Sequence, residues 1–229
     1  MTMPSPVKTL LPLLAMLLGA PAMAQLAVTS GFDSGASTVG PQAAASQASF
    51  LGTTGGRVML DFEGGMPAGL AIQGGRVTDD SGCRAALCGF NTTEAGSQFL
   101  LAPGKKGTIT FTFGEGVSYF GAYFSGLQLA TGTLTFQDGA RQEISLPYGD
   151  MSLGGMAFVG FHNPGKLIDS VSFYTGNDII AIDDVVYGRG PVAAVPEAGT
   201  LATMGLGLLA IAGVRRARAG TRASGHRPA

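Results

Sequence analysis

The chain has 229 residues, with Lys+Arg 14 against Asp+Glu 15, 37 glycines, two cysteines and no tryptophan. Its near-neutral total hides a split: between Asp33 and Arg189 there are eight basic and fourteen acidic side chains, a net charge of −6. An acidic body without a basic stripe excludes nucleic acid as a partner class, and about 170 residues between the two ends allow one domain with a sizeable core.

At the N-terminus Lys8 precedes the apolar run "TLLPLLAMLLGA", and Ala22 and Ala24 supply the small residues of a signal-peptidase site. Residues 1–24 therefore read as a signal peptide with cleavage before Gln25, and a start at Met3 instead of Met1 leaves that reading unchanged. Residues 25–55 read as a flexible leader. Within it "PQAAASQASFL", from Pro41 to Leu51, has the composition of a short helix with Pro41 in its first turn.

From Arg57 the texture changes to short β-type runs punctuated by glycine. After "RVMLDFEG" and weaker candidates around residues 70–77 and 98–101 comes "TITFTF" (108–113), which alternates strictly, Ile109, Phe111 and Phe113 on one face and threonines on the other. Such alternation marks a half-buried strand. "SYFGAYFS" places Phe120, Ala122 and Phe124 opposite Tyr119 and Tyr123. "GTLTFQDGARQEISL" reads as a hairpin turning at Asp138-Gly139. "MAFVGF", "LIDSVSFYT" and "DIIAIDDVVYG" complete eight to ten short strands. No long amphipathic helix interrupts them, so residues 56–190 are expected to be all-β, an antiparallel β-sandwich of jelly-roll-like type.

Catalytic signatures are absent. There is no G-x-S-x-G, H-E-x-x-H or P-loop, and His162, in "GFHNPGK", is the one histidine of this segment and reads as a turn residue. Cys83 and Cys88, five apart in an exported chain, are expected to close a local disulfide. Two acidic pairs stand out: Asp61 and Glu63 on the first firm strand, Asp183 and Asp184 on the last. In "IIAIDDVVY" Ile180 and Ile182 share a face while Val185 and Tyr187 fall on the other, a parity break that a bulge or a ligand explains. If the first and last strands pair, the four carboxylates form a candidate Ca²⁺ site, oxygen ligands being the kind that ion takes; the alternative is solvated strand-end charge. Without tryptophan, Tyr119, Tyr123, Tyr148 and Tyr174 are the remaining groups on which a sugar could stack.

The chain closes with 17 uncharged residues, 198–214, between Glu197 and Arg215. As a helix these reach roughly 26 Å against a hydrocarbon core of about 30 Å, enough for one transmembrane span. Arg215, Arg216 and Arg218 open a basic tail, 215–229, that stops the segment with its C-terminus in the cytoplasm. "VPEAGTLATMGLGLLAIAGVRRARAG" resembles the PEP-CTERM sorting tag of Gram-negative surface proteins: Val195, Pro196 and Glu197 match its Pro-Glu-Pro motif, and Ala198 replaces the second proline. The resemblance, over residues 195–220, implies an exosortase-type membrane protease as partner, in bacteria that make exopolysaccharide and form biofilms. It also implies a chain that is membrane-anchored before processing and then at the cell surface or in the matrix.

These features together lead to an exported, non-enzymatic surface protein whose sandwich binds or organises extracellular polysaccharide, with Ca²⁺ as the one candidate cofactor. The alternatives are a secreted hydrolase or lyase using carboxylates such as Glu63 or Asp183, and a self-assembling envelope protein.

Overall fold

The computed structural model describes residues 26–102, 107–128, 132–138, 143–163, 166–174 and 178–190. The signal peptide, the Asp138-Gly139 turn beyond Asp138 and the sorting tag with its apolar run lie outside the described residues. Among the described residues no helix is long and apolar enough to cross a membrane.

Among the described residues twelve strands form two antiparallel sheets. The larger contains β1 (Ala27–Ser34), β10 (Gly155–His162), β7 (Tyr119–Ser125), β12 (Ala181–Gly188), β5 (Phe99–Leu101) and β4 (Arg76–Thr78) in that order, with β2 (Arg57–Leu60) also paired to β12. The smaller runs β3 (Leu70–Gln73), β6 (Thr108–Val117), β11 (Ile168–Tyr174), β8 (Gly132–Asp138), β9 (Glu143–Tyr148). The expected antiparallel sandwich is thus the architecture found, and the first firm strand does pair with the last, Val185 opposite Leu60.

The core lies between the sheets because each strand's alternation points its large apolar set inward. Ile109, Phe111 and Phe113 meet Phe120, Phe124 and Phe161 there, with Phe111–Phe120 ring centroids 5.3 Å apart and Phe124–Phe173 4.9 Å. On β12 the parity break is resolved by a bulge. Its register against β7 slips between Asp183 and Val186, and Asp184 takes a left-handed φ of 46°. The extra residue returns Val185 and Tyr187 to the side already occupied by Ile182, so both apolar sets face one core.

The leader is the main correction. Residues 27–34 are not flexible: they form β1, paired along its whole length with β10. The sequence concealed this strand because "AVTSGFDS" is small and polar, and its pairing partner lies more than a hundred residues away. The helix that follows, α1 (Pro41–Thr53), has Gly40 at its N-cap and Pro41 in the first turn. Gly40 has no side chain with which to cap, so Asp33 on β1 does it: its Oδ2 accepts from Ala43 N at 2.8 Å and its Oδ1 from Gln42 N at 3.2 Å.

α1 covers the outer face of the larger sheet. Phe50 is 1% exposed and packs its ring against Tyr119 and Phe158, centroids 5.9 and 5.6 Å away. It fits because the two residues beneath it, Gly121 and Gly160, are a cross-strand pair without side chains. Burying a phenylalanine this fully stabilises by roughly 1.5–3 kcal/mol. The same cover buries Tyr119 and Tyr123, and explains why β7 and β10 are buried on both faces.

Candidate functional site

The acidic pairs come first. Asp183 is 1% exposed, and its Oδ2 accepts hydrogen bonds from Thr92 N (2.7 Å), Thr92 Oγ1 (3.1 Å) and Thr93 N (3.2 Å). Asp184 Oδ1 and Oδ2 accept from Thr93 Oγ1 (2.8 Å) and Thr92 Oγ1 (3.1 Å). Glu63 Oε1 accepts from Ser97 N and Gln98 N, and Asp61 Oδ1 from Glu63 N at 3.1 Å. Three of the four carboxylates therefore hold the segment 92–98, and the fourth shapes its own turn. Among the described residues no three His, Cys, Asp or Glu side chains are grouped as a metal would require. The sequence pairs the right strands but misses the two threonines that take up the carboxylates. "NTT" carried no charge pattern that could have signalled them.

Burial pushes Asp183 up from the ordinary 3.8 to about 6, reinforced by the neighbouring Asp184 charge and opposed by the Thr92 hydrogen bonds. Its Oδ1 is buried without a hydrogen-bond partner among the described residues. Burial of this kind disfavours the charged carboxylate and so moves its titration upward.

His162 is not a turn residue but the last of β10, opposite Ala27 and Tyr119. It is 5% exposed, its Nδ1 has no partner among the described residues, and burial lowers its pKa. Cys83 and Cys88 are joined in a disulfide, Cα atoms 5.7 Å apart, across the one-turn helix α2 (Ala85–Cys88).

Of the four tyrosines, Tyr119 (0% exposed) and Tyr123 (3%) are beneath α1, donating from their hydroxyls to Gly55 O at 2.7 Å and Gln47 Oε1 at 3.0 Å. The alternation that set them opposite the core is right, but the helix makes their face a second interior. Burial, with the Asp184 and Asp33 charges, raises Tyr123 to about 12. The side chain of Tyr148 lies outside what is described. Tyr174 is 46% exposed.

Tyr174 stands on the outer face of the smaller sheet, over which none of the described elements is packed. Because Ile109, Phe111, Val171 and Phe173 point into the core, the intervening Thr108, Thr110, Thr112, Ser170, Ser172 and Tyr174 point out. Strand register aligns a row at right angles to the strands: Gln73 opposite Thr110, Thr110 opposite Ser172, Ser172 opposite Gln137, Gln137 opposite Glu143. At the usual spacing of neighbouring strands, five strands make a row about 19 Å long. Thr108, Gln137, Ser172 and Tyr174 line a shallow depression of ≈ 290 Å³ on this face. The Thr110 and Ser172 hydroxyls are 2.9 Å apart and hydrogen-bond each other. Every described group of the row except Glu143 is a neutral hydroxyl or amide, able both to donate and to accept. The threonines of β6 were legible as an outward face; Ser170, Ser172, Gln73 and Gln137 were not singled out, although the same alternation in "IDSVSFY" marks two of them.

Comparison with known proteins finds a match to the PEP-CTERM protein-sorting motif at residues 194–217, which includes Val195, Pro196, Glu197, Arg215 and Arg216. The chain carries this motif, which marks it for export and exosortase-mediated sorting to the cell surface. No curated protein sequence matches. Two solved structures of single-residue alanine variants of CBM29-2, a family 29 carbohydrate-binding module, resemble the chain. One, with a tyrosine replaced, has 13% identity, covers 58% of this chain and 93% of its own, TM-score 0.34. The other, with an aspartate replaced, has 12% identity, covers 62% and 97%, TM-score 0.34.

Proposed function

We propose that this is an exported, exosortase-sorted surface or matrix protein whose sandwich binds extracellular polysaccharide, without catalysis, on the outer face of its smaller sheet. The observation that carries the reading is the cross-strand row of Gln73, Thr110, Ser172 and Gln137, with the exposed Tyr174 beside its middle, two residues along β11 from Ser172. A polysaccharide offers many hydroxyls along an extended chain together with apolar C–H faces. A row of four donor-acceptor groups about 14 Å long matches the first, and an amphipathic tyrosine the second. The sorting motif supports the setting: the apolar run anchors the chain in the membrane until an exosortase-type protease acts near Pro196 and Glu197, after which the sandwich stays at the surface or in the matrix.

The carboxylate-hydrolase alternative gains nothing from the geometry, since Glu63 and Asp183 are engaged with backbone and hydroxyl donors of their own loop. Ca²⁺ is not required for this reading either.

Affinity electrophoresis of the full chain, purified in mild detergent from an export-competent host, tests the proposal against a polysaccharide panel. Wild type is expected to be retarded, with no release of reducing ends. Tyr174→Ala should lose roughly 2- to 12-fold in affinity, the equivalent of about 0.5–1.5 kcal/mol for an aromatic contact. Undiminished binding by Tyr174→Ala would remove the face from the mechanism, and released reducing ends would make the protein an enzyme.

A further inference from the structure

We infer that the polysaccharide taken by this face is an uncharged one; the inference rests on the binding role proposed above and adds the class of ligand. The five strands of the smaller sheet contain no lysine or arginine, yet they carry Glu115, Asp138, Glu143 and Asp169. Among the described residues one cation forms an ion pair with the sheet: Arg189, at the end of β12, lies 3.4 Å from Glu115 and donates from Nε to Gly116 O at 2.9 Å. It is engaged at the far end of β6, away from the row through Thr110 and Ser172. Lys105, Lys106 and Arg141 belong to segments between strands and lie outside the described residues.

A polyanion, such as a chain of uronic acids, would lay a carboxylate on every repeat along a row that ends on Glu143, with no strand-borne cation facing it. Two like charges at contact distance repel, several times more strongly near a protein surface than in bulk water. The body's net charge of −6 adds a longer-range repulsion that slows the approach of any polyanion. Neutral sugars meet no such penalty. Hydroxyl groups exchange hydrogen bonds with Thr108, Thr110, Ser172, Gln73 and Gln137 in either direction, and the Tyr174 ring covers the C–H face of a pyranose.

The test sets neutral polymers (a β-glucan, a galactomannan and a dextran) against polygalacturonate and alginate, using the full chain in mild detergent at low salt and at 0.5 M NaCl. The expected result is binding to at least one neutral polymer, insensitive to salt, with uronate polymers at least tenfold weaker. Glu143→Gln should then raise uronate affinity at low salt and narrow the gap between uronate and neutral polymers, a change that a merely structural role for Glu143 would not produce. Uronate binding that equals or exceeds the neutral polymers, and weakens with salt, would overturn the inference while leaving the binding face in place. Binding to nothing on the panel would remove the proposed function and this inference together.

Discussion

Replacing Gly160 by alanine should destabilise the sandwich through a single side chain, Phe50. A Cβ on Gly160 would stand 2.5 Å from Phe50 Cδ2, 2.7 Å from Cε2 and 2.9 Å from Cγ. Carbon atoms in contact prefer 3.5–4.0 Å, so three ring atoms would have to retreat by roughly 1 Å. They have no room, because Tyr119 and Phe158 bracket the ring, and neighbouring Gly121 would meet the same ring at 2.9 Å. Overpacking of this kind costs about 1–3 kcal/mol, which for a domain of this size lowers Tm by roughly 2–12 °C. Urea and thermal unfolding of Gly160→Ala, Phe50→Ala and the double variant measure it. Phe50→Ala alone should cost about 3–5 kcal/mol, and the double variant should be more stable than the sum of the two losses by at least about 1 kcal/mol, because the methyl then has space. A Gly160→Ala protein within about 0.5 kcal/mol of wild type, or strictly additive costs, would show that the glycine pair is not what seats the helix.

Asp183 makes stability depend on pH. Its folded pKa of about 6 lies above the ordinary 3.8, so the folded state holds the proton more tightly. The associated stabilisation is complete below 3.8 and is lost as pH rises to 6, on the order of 3 kcal/mol in all. Asp183→Asn should flatten that part of the urea-midpoint profile; an unchanged slope between pH 4 and 6 would place the titration elsewhere. Asp33→Ala removes the acceptor for Gln42 N and Ala43 N. It should cost about 1–2 kcal/mol and expose α1 to early proteolysis, whereas an undigested helix would mean that the cap is dispensable. Chelator should leave both Tm and polysaccharide retardation unchanged, because Glu63, Asp183 and Asp184 are held by their loop. A rise in Tm of several degrees on adding Ca²⁺ would show instead that these carboxylates release Thr92 and Thr93 to an ion.

The amino-acid sequence alone determined the all-β class, the individual strands from Arg57 onward, and the sorting tag. These are local signals: period-two alternation, turn residues and a contiguous motif can be read within a dozen residues. It also located the fault in β12, since a parity break is visible in "IIAIDDVVY" without knowing its partner. What lay across the faces could not be read. Tyr119, Tyr123 and Tyr174 all alternate away from the core, and only the docking of α1 onto the glycine pair of the larger sheet buries the first two and leaves the third exposed. The strand hidden in "AVTSGFDS" forms because β10 lies beside it. Likewise Glu63, Asp183 and Asp184 became loop anchors because Thr92, Thr93, Ser97 and Gln98 arrive with donors for them. Periodicity specifies which side of a strand faces the first neighbour. The second neighbour, and with it the face left uncovered, is decided by packing between residues far apart in the chain.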